Sequence, residues 1–254
     1  MTICLQLDHV NYSYGAAKIR VLSDVNADFE SGKMYAITGP SGAGKSTLAK
    51  QVAQNLGFVY VDTGAIYRAV GYHMDLMGIG PKDKDGIERL LDDVNLKLTY
   101  DAGGLQHVIL NGMDVTGEIR TPEMSRMASL ISAYPAVRDF LLDLQRDMAR
   151  QYSVVMDGRD IGTVVLPHAD VKIYLTASPE VRARRRQKEL EEKGFSCAYE
   201  TVLSEIRERD AQDMSRTVAP LQQAADAEVL DTSDLNREQA LAALESTIRR
   251  RLGL

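Results

Sequence analysis

The segment from Gly39 to Thr47 constrains the fold of this chain more than any other feature. Its sequence is Gly-Pro-Ser-Gly-Ala-Gly-Lys-Ser-Thr, and it lies between the apolar run 34–38 and a helical pattern that reaches about Leu56. Glycines let the backbone curl so that successive N–H groups face one anion, and the N-terminus of the following helix adds partial positive charge. A strand, a loop and a helix in this order predict an anion-binding turn at the edge of a sheet.

Two side chains at the end of this loop indicate which anion binds. The spacing Gly39-x-x-x-x-Gly44-Lys45-Ser46 is that of a P-loop, in which the lysine reaches the β- and γ-phosphates and the hydroxyl serves Mg²⁺. The predicted ATP-binding residues are Gly39, Pro40, Ser41, Gly42, Ala43, Gly44, Lys45, Ser46 and Thr47. GTPases, transporter ATPases and small-molecule kinases share this loop, so it does not name a reaction.

Short apolar runs alternate with helical patterns along the rest of the chain. The runs are bounded by Gly, Asp or Pro and lie at 58–61, 154–156, 171–175 and 228–230. Helical patterns cover 135–151 and 179–193. This alternation predicts an α/β fold with a parallel, five-stranded core sheet that is covered on both faces.

Two regions depart from this alternation. In residues 1–33, apolar residues alternate with polar ones across a one-residue shift, which predicts an antiparallel β segment before the main sheet. Within 94–116, Leu96–Leu98 and Val108–Leu110 flank Gly103-Gly104. This second pattern predicts an inserted β hairpin.

Charged residues cluster where a doubly wound sheet binds ligands, at the carboxyl ends of its strands. They form the segments Asp62–Arg68 and Asp157–Asp160 and the helix-like stretch Arg209–Arg216. Nothing in them resembles a Ser/His/Asp or Cys/His nucleophile system. A phosphate monoester is largely dianionic at neutral pH, so as an acceptor it needs no general base, only relief of charge repulsion by arginines and Mg²⁺. The segments therefore predict phosphoryl transfer to such an acceptor.

Composition bears on several other classes of protein. The 254-residue chain contains 44% hydrophobic and 26% charged residues and no apolar run near the ~20 residues that span a bilayer. Its net charge of −6 argues against general nucleic-acid binding. Residues 1–10 lack the basic start of a signal peptide, Cys4 and Cys197 form no disulfide framework, and the four histidines have no metal-ligand spacing. We expect a cytoplasmic protein without a membrane partner.

Six motifs resemble those of bacterial cytidylate kinase, in order and at similar intervals, over about residues 35–254. They are the P-loop, Asp62–Arg68, Gly117–Thr121, Tyr134–Arg138, Asp157–Thr163 and Val218–Leu221. The resemblance implies a nucleoside monophosphate kinase-like P-loop fold and a monomer that binds ATP, Mg²⁺ and CMP or dCMP. It further implies transfer of the γ-phosphoryl group of ATP to CMP or dCMP, giving CDP or dCDP and ADP.

The resemblance also implies roles for individual residues. Arg68, Arg159 and Arg209 would hold the CMP phosphate, and Ser129, Arg138 and Asp160 would read the cytosine edge. Asp213 would contact the sugar hydroxyls, Arg216 would lie near the phosphates, and Thr63 stands where the family often has Ser. Ser46 and Asp157, the latter through water, would hold Mg²⁺. The implied CMP-binding residues are thus Thr63, Arg68, Ser129, Arg138, Arg159, Asp160, Arg209, Asp213 and Arg216.

Two moving parts follow from the same resemblance. The basic cluster 182–186 fits the family's lid, at about 180–198, which would close over ATP; the alternative is an exposed helix whose charge is balanced by nearby glutamates. The β insert fits a nucleotide-monophosphate-binding region at about 67–133 within a kinase-like domain 34–254. The predicted catalytic residues are Lys45, Arg159, Arg185, Arg186 and Arg209.

Residues 1–33 resemble a different P-loop family, the ATP-binding cassette ATPases. There an aromatic residue about 25 positions before the P-loop stacks on adenine, and Tyr14 lies at that distance from Gly39. Downstream, the chain has no Leu-Ser-Gly-Gly-Gln signature and no apolar run ending in Asp-Glu. The segment is therefore either a passive β addition or a source of adenine stacking. A cassette-type ATPase module and a catalytically impaired nucleotide-binding fusion are the alternatives to an active kinase.

Overall fold

A computed structural model describes residues 3–14, 19–30, 32–192 and 194–252. The elements in chain order are β1 (Ile3–Tyr14), β2 (Ile19–Glu30), β3 (Met34–Thr38), α1 (Lys45–Leu56), β4 (Val59–Asp62), α2 (Thr63–Leu76), α3 (Lys84–Asp92), β5 (Leu96–Tyr100), β6 (Gln106–Leu110), β7 (Met113–Asp114), α4 (Pro122–Ile131), α5 (Pro135–Gln151), β8 (Val154–Gly158), β9 (Val171–Thr176), α6 (Pro179–Glu192), α7 (Tyr199–Ser215), β10 (Glu228–Asp231) and α8 (Arg237–Leu252). A π-helical turn, Ile161–Val165, follows β8.

The central sheet has five parallel strands in the order β10-β9-β3-β8-β4, as the sequence predicts. Strand β3 lies in the middle, with β8 on one side and β9 on the other. Its Ile37 pairs with Asp157 of β8 and with Ile173 of β9. The loop that follows β3 therefore leaves the sheet beside the acidic end of β8.

Alternate residues of β3 enter two different cores. Tyr35 and Ile37 pack with α1 and α8 on one face of the sheet. Ala36 faces the opposite core, which Met156 and Met148 of β8 and α5 also enter. Burial on both faces explains the nearly continuous apolar sequences of these strands. In the described part of the chain, no helix is both long and apolar enough to cross a membrane.

The predicted insert is an antiparallel sheet in the order β5-β6-β7, so the expected hairpin is confirmed and gains a short third strand. Its buried Val108 and Leu110 share a core with α2, α3 and α5. Helix α4 follows the insert and begins at an N-cap, Thr121, whose hydroxyl accepts from the Met124 N–H at 3.1 Å. The insert is thus fixed to α2, the helix that starts at the carboxyl end of β4.

The N-terminal strands β1 and β2 pair antiparallel in a sheet of their own, with register shifts along their length. This agrees with the antiparallel segment expected from residues 1–33. Residues 1–2, 15–18 and 31 lie outside the described part of the chain, and so does the Tyr14 side chain on which the adenine-stacking hypothesis depends.

Candidate active site

The loop after β3 has the tight turns that its glycines predict. Gly39, Gly42 and Gly44 all have positive φ. At Gly39 a Cβ atom would lie 2.0 Å from the carbonyl oxygen of Leu175 in β9, so only glycine fits there. The loop is therefore held closely against the sheet, and its N–H groups continue into the N-terminus of α1.

Lys45 is the first residue of α1, and its side chain folds back under the loop. The ammonium group donates to the Pro40 carbonyl at 2.7 Å, and the residue is 5% exposed. Burial, and then the positive charge of Arg159, lower the pKa of this lysine below its ordinary value. Negative phosphates placed on the loop would favour the charged form again.

The hydroxyl of Ser46 and the carboxylate of Asp157 meet beside the loop. Ser46 Oγ donates to Asp157 Oδ2 at 2.9 Å, while the hydroxyl of Tyr60 donates to Asp157 Oδ1 at 2.7 Å. Burial, and then the nearby charge of Asp62, raise the pKa of Asp157. A hydroxyl and a carboxylate are oxygen donors of the kind that Mg²⁺ accepts, usually together with substrate phosphates and water. Their position fits the predicted metal role.

Arginines and aspartates form a second cluster beyond the loop. Arg68 of α2 pairs with Asp62, the last residue of β4, at 2.9 Å. Arg159, just after β8, donates through Nε to Asp213 at 2.8 Å, and Arg216 pairs with the same carboxylate. Arg216 lies just past the end of α7, and its guanidinium still reaches the Asp213 carboxylate. Asp213 is only 1% exposed, and the two arginines lower its pKa.

Three guanidinium N–H groups in this cluster are buried without an acceptor among the described residues. They are the Nε groups of Arg68, Arg209 and Arg216. Burial, and then the charge of Arg159, lower the pKa of Arg209 to about 10, so it stays charged at neutral pH. A buried donor without a partner costs free energy, and a cluster of such cationic donors points to an anionic ligand.

Arg138 and Asp160 form a buried ion pair at the other end of the cluster. Arg138 also donates to the Ser132 carbonyl at 3.1 Å, and its guanidinium lies 5.9 Å from the ring centroid of Tyr67. Ser129 of α4 is buried, with its hydroxyl 3.5 Å from Gln212 of α7. The three residues predicted to read cytosine thus come from separate elements: Ser129 from α4, Arg138 from α5 and Asp160 from the segment just after β8.

Thr63 begins α2 next to the end of β8. Its hydroxyl donates to the Asp157 carbonyl at 2.8 Å. A Cβ atom at Gly158 would lie 2.6 Å from that hydroxyl, so the glycine permits this close approach. Thr63 therefore joins the start of α2 to Asp157 near the end of β8.

The arginines of the basic run 182–186, in the predicted lid, make different kinds of contact. Arg182 is buried, whereas Arg185 donates to the Thr232 and Leu235 carbonyls at 2.7 and 3.3 Å, and Arg186 lies 3.4 Å from Glu189. Arg185 thus holds the loop after β10, and Arg186 is partly exposed. The catalytic roles of Arg185 and Arg186 stay predictions.

Two contributors were missed by sequence reasoning. Tyr60 holds one oxygen of Asp157, and Arg182 pairs with Asp210 beneath the P-loop. For Tyr60 the sequence signal is weak: residues 59–62 alternate between apolar and polar side chains and end in an acid. For Arg182 no signal separates it from the arginines that follow it.

A P-loop between a central strand and a helix, facing a cluster of partly buried arginines, defines a P-loop phosphotransferase. The family model for cytidylate kinase matches residues 35–250. Curated cytidylate kinases are similar to this chain over most of their length. Those of Pelotomaculum thermopropionicum and an Exiguobacterium species are each 48% identical over 213 residues, which is 84% of this chain and 94% and 95% of the relative, respectively. That of Carboxydothermus hydrogenoformans is 47% identical over 216 residues, which is 85% of this chain and 97% of the relative. The chain belongs to the cytidylate kinase family.

Proposed function

We infer that this protein transfers the γ-phosphoryl group of ATP to CMP or dCMP, giving CDP or dCDP and ADP. Membership of the cytidylate kinase family supports the reaction. The structural observation that carries it is the set of three buried arginine Nε groups that find no acceptor within the described part of the chain. A dianionic phosphate monoester supplies acceptor oxygens to several such groups at once.

On the donor side, the N–H groups of 39–47 would bind the ATP phosphates, and Lys45 would reach the β- and γ-phosphates. Ser46 would hold Mg²⁺ directly and Asp157 would hold it through water, because the side-chain oxygen atoms of the two residues lie 2.9 Å apart. The metal would neutralise charge on the phosphates during transfer.

On the acceptor side, a phosphate oxygen of CMP would attack the γ-phosphorus in line with the departing ADP oxygen. Two negative groups repel one another, so the enzyme's task is neutralisation and alignment rather than proton removal. Arg68, Arg159 and Arg209 are proposed to hold the acceptor phosphate, with Arg216 nearby. Asp213 now binds two of these four arginines and would also reach the sugar hydroxyls.

The pair Arg138 and Asp160 is proposed to select the base. Cytosine presents acceptors at O2 and N3 and a donor at its 4-amino group. A guanidinium and a carboxylate side by side match that order of groups, and uracil, which has an oxygen at position 4, leaves the carboxylate without a donor. Ser129 would complete the contact.

The remaining proposals concern moving parts and context. We propose residues 67–133 as the acceptor-binding region, 180–198 as a lid whose Arg185 and Arg186 approach ATP on closure, and 34–254 as the kinase domain. A lid would exclude water, which otherwise competes as acceptor. A cytoplasmic monomer is proposed on the family's general behaviour.

The reaction is tested by product analysis. Purified chain with ATP, Mg²⁺ and CMP is expected to give CDP and ADP in equal amounts, which phosphorus NMR resolves. ADP formation that CMP does not stimulate would favour a cassette-type ATPase instead. ATP binding without either product would indicate an impaired nucleotide-binding fusion.

The N-terminal segment needs a separate test. Either the β1–β2 pair is a passive addition, or Tyr14 stacks on adenine as the resemblance to cassette ATPases suggests. An unchanged KM for ATP in Tyr14→Ala excludes stacking, and a clear rise in that KM supports it.

A further inference from the structure

One buried guanidinium joins the P-loop to the helix that carries acceptor-site residues. Arg182, in the first turn of α6, is 3% exposed. Its Nη1 donates to the Ser41 carbonyl of the P-loop at 3.1 Å, and its Nε donates to the Ala177 carbonyl at 2.8 Å. Its Nη1 and Nη2 donate to the two carboxylate oxygens of Asp210 on α7, at 3.0 and 2.6 Å. A single side chain thus contacts the loop, the end of β9 and α7.

The contact with the loop is also one of close packing. A Cβ atom on Gly42, next to Ser41, would lie 3.4 Å from Cβ of Arg182. Any movement of α6 towards the loop at this point would therefore push against Gly42 of the P-loop.

Asp210 connects this contact to the acceptor side. It is adjacent in sequence to Arg209, whose buried Nε has no acceptor among the residues that the structure describes, and it lies three residues before Asp213. Asp213 in turn holds Arg159 at 2.8 Å. Because these residues lie on one rigid helix, the position of Asp210 sets where the acceptor-side groups stand relative to the loop.

We propose that Arg182 and Asp210 are positioning residues that couple ATP binding at the P-loop to CMP binding beside α7. The proposal rests on the function inferred above. Nucleotide bound on either side would fix its own element, and the bidentate ion pair would transmit that ordering to the other element. Coupling of this kind is reciprocal: CMP tightens ATP by the factor by which ATP tightens CMP.

The coupling is measured directly as a ratio of affinities. Calorimetry on the full chain gives the affinity for adenylyl imidodiphosphate with Mg²⁺, first alone and then with saturating CMP. We expect CMP to tighten the analogue by roughly 5- to 150-fold in the unaltered protein. In Asp210→Asn, which keeps the shape and removes the charge, the ratio should fall to within about twofold of one.

The chain offers a matched control on the same two helices. Glu180 of α6 and Arg207 of α7 form an ion pair at 2.7 Å, and their side chains, 46% and 59% exposed, are far more accessible than those of Arg182 and Asp210. Glu180→Gln removes a bond between α6 and α7 without touching the buried pair. It should leave the affinity ratio at the value of the unaltered protein.

The outcomes separate coupling from mere stabilisation. A lowered melting temperature in Asp210→Asn with an unchanged ratio would overturn the proposal, as would an equal loss in Glu180→Gln. If Asp210→Asn does not fold, Asp210→Glu, which keeps the charge but lengthens the side chain, must reduce the ratio. Absence of coupling in the unaltered protein also refutes the proposal, whereas CDP formation in the same preparation would leave the inferred reaction intact.

Discussion

The proposed donor side is one nine-residue stretch, the P-loop, whose main-chain N–H groups would face the anion, whereas the proposed acceptor side draws arginine side chains from separate parts of the chain. Arg68 comes from α2, Arg138 from α5, Arg159 from the end of β8, and Arg209 and Arg216 from α7 and its end. The P-loop needs only a short segment with the right turns. The arginine cluster forms only after the whole domain has folded.

The two halves also differ in how they keep charge in place. The loop carries partial charges that do not repel strongly, together with a lysine whose pKa is lowered. The acceptor side concentrates full positive charges, and carboxylates hold several of them: Asp62, Asp160 and Asp213. A cluster of arginines thus needs internal counter-charges, and we propose that substrate phosphate would take over part of this role.

Removal of an acceptor arginine should have the largest effect. Arg159→Ala takes away a cation that we propose to hold the acceptor phosphate, and it leaves Asp213 paired with Arg216, so kcat/KM for CMP should fall by roughly 10³- to 10⁵-fold. Steady-state kinetics measure this. Arg150→Ala removes an exposed arginine of α5 and should leave activity unchanged; near-normal turnover in Arg159→Ala would remove that residue from the site.

A donor-side change should cost less in rate and leave acceptor binding alone. Lys45→Met keeps the length of the side chain and removes its charge, so kcat should fall by roughly 10²- to 10³-fold. The affinity for CMP, measured without ATP, should stay within about twofold. A large loss of CMP affinity would contradict the expectation that Lys45 acts on the donor side alone.

The close approach of the P-loop to β9 predicts a difference between two glycines. Gly39→Ala should destabilise the fold by more than about 3 kcal/mol, because its Cβ would overlap the Leu175 carbonyl. Gly44→Ala faces open space and should cost only the left-handed backbone, about 1–2 kcal/mol. Urea unfolding measures both. Equal losses would contradict the packing described here.

A proton should bind together with ATP. The pKa of Lys45 is lowered by burial in the free protein, and phosphates would raise it again, so the complex holds more protons than its free components. The affinity for ATP should therefore weaken as pH rises through the lowered pKa of Lys45. Calorimetry in buffers of different ionisation enthalpy should show uptake of a fraction of a proton, and Lys45→Met should lose it.

The fold around the P-loop is predictable from the sequence because its information is local. The P-loop pattern, its flanking strand and helix, and the alternation of apolar runs led to the five-stranded sheet, and motif resemblance led to Arg138, Arg159 and Asp213. The partners of each arginine were not predictable in this way. Arg182 and Arg184 look alike in sequence, yet only the first is buried, because tertiary packing alone decides which helix face meets the P-loop.

The acceptor preference tests the central inference most directly. ADP release is measured with CMP, dCMP, UMP and AMP supplied separately at equal concentration. We predict strong stimulation by CMP and dCMP, weak stimulation by UMP and none by AMP, with the preference for CMP over UMP reduced in Asp160→Asn. A preference for AMP, or no stimulation by any of the four, would contradict the assignment of the arginine cluster to a cytidine monophosphate.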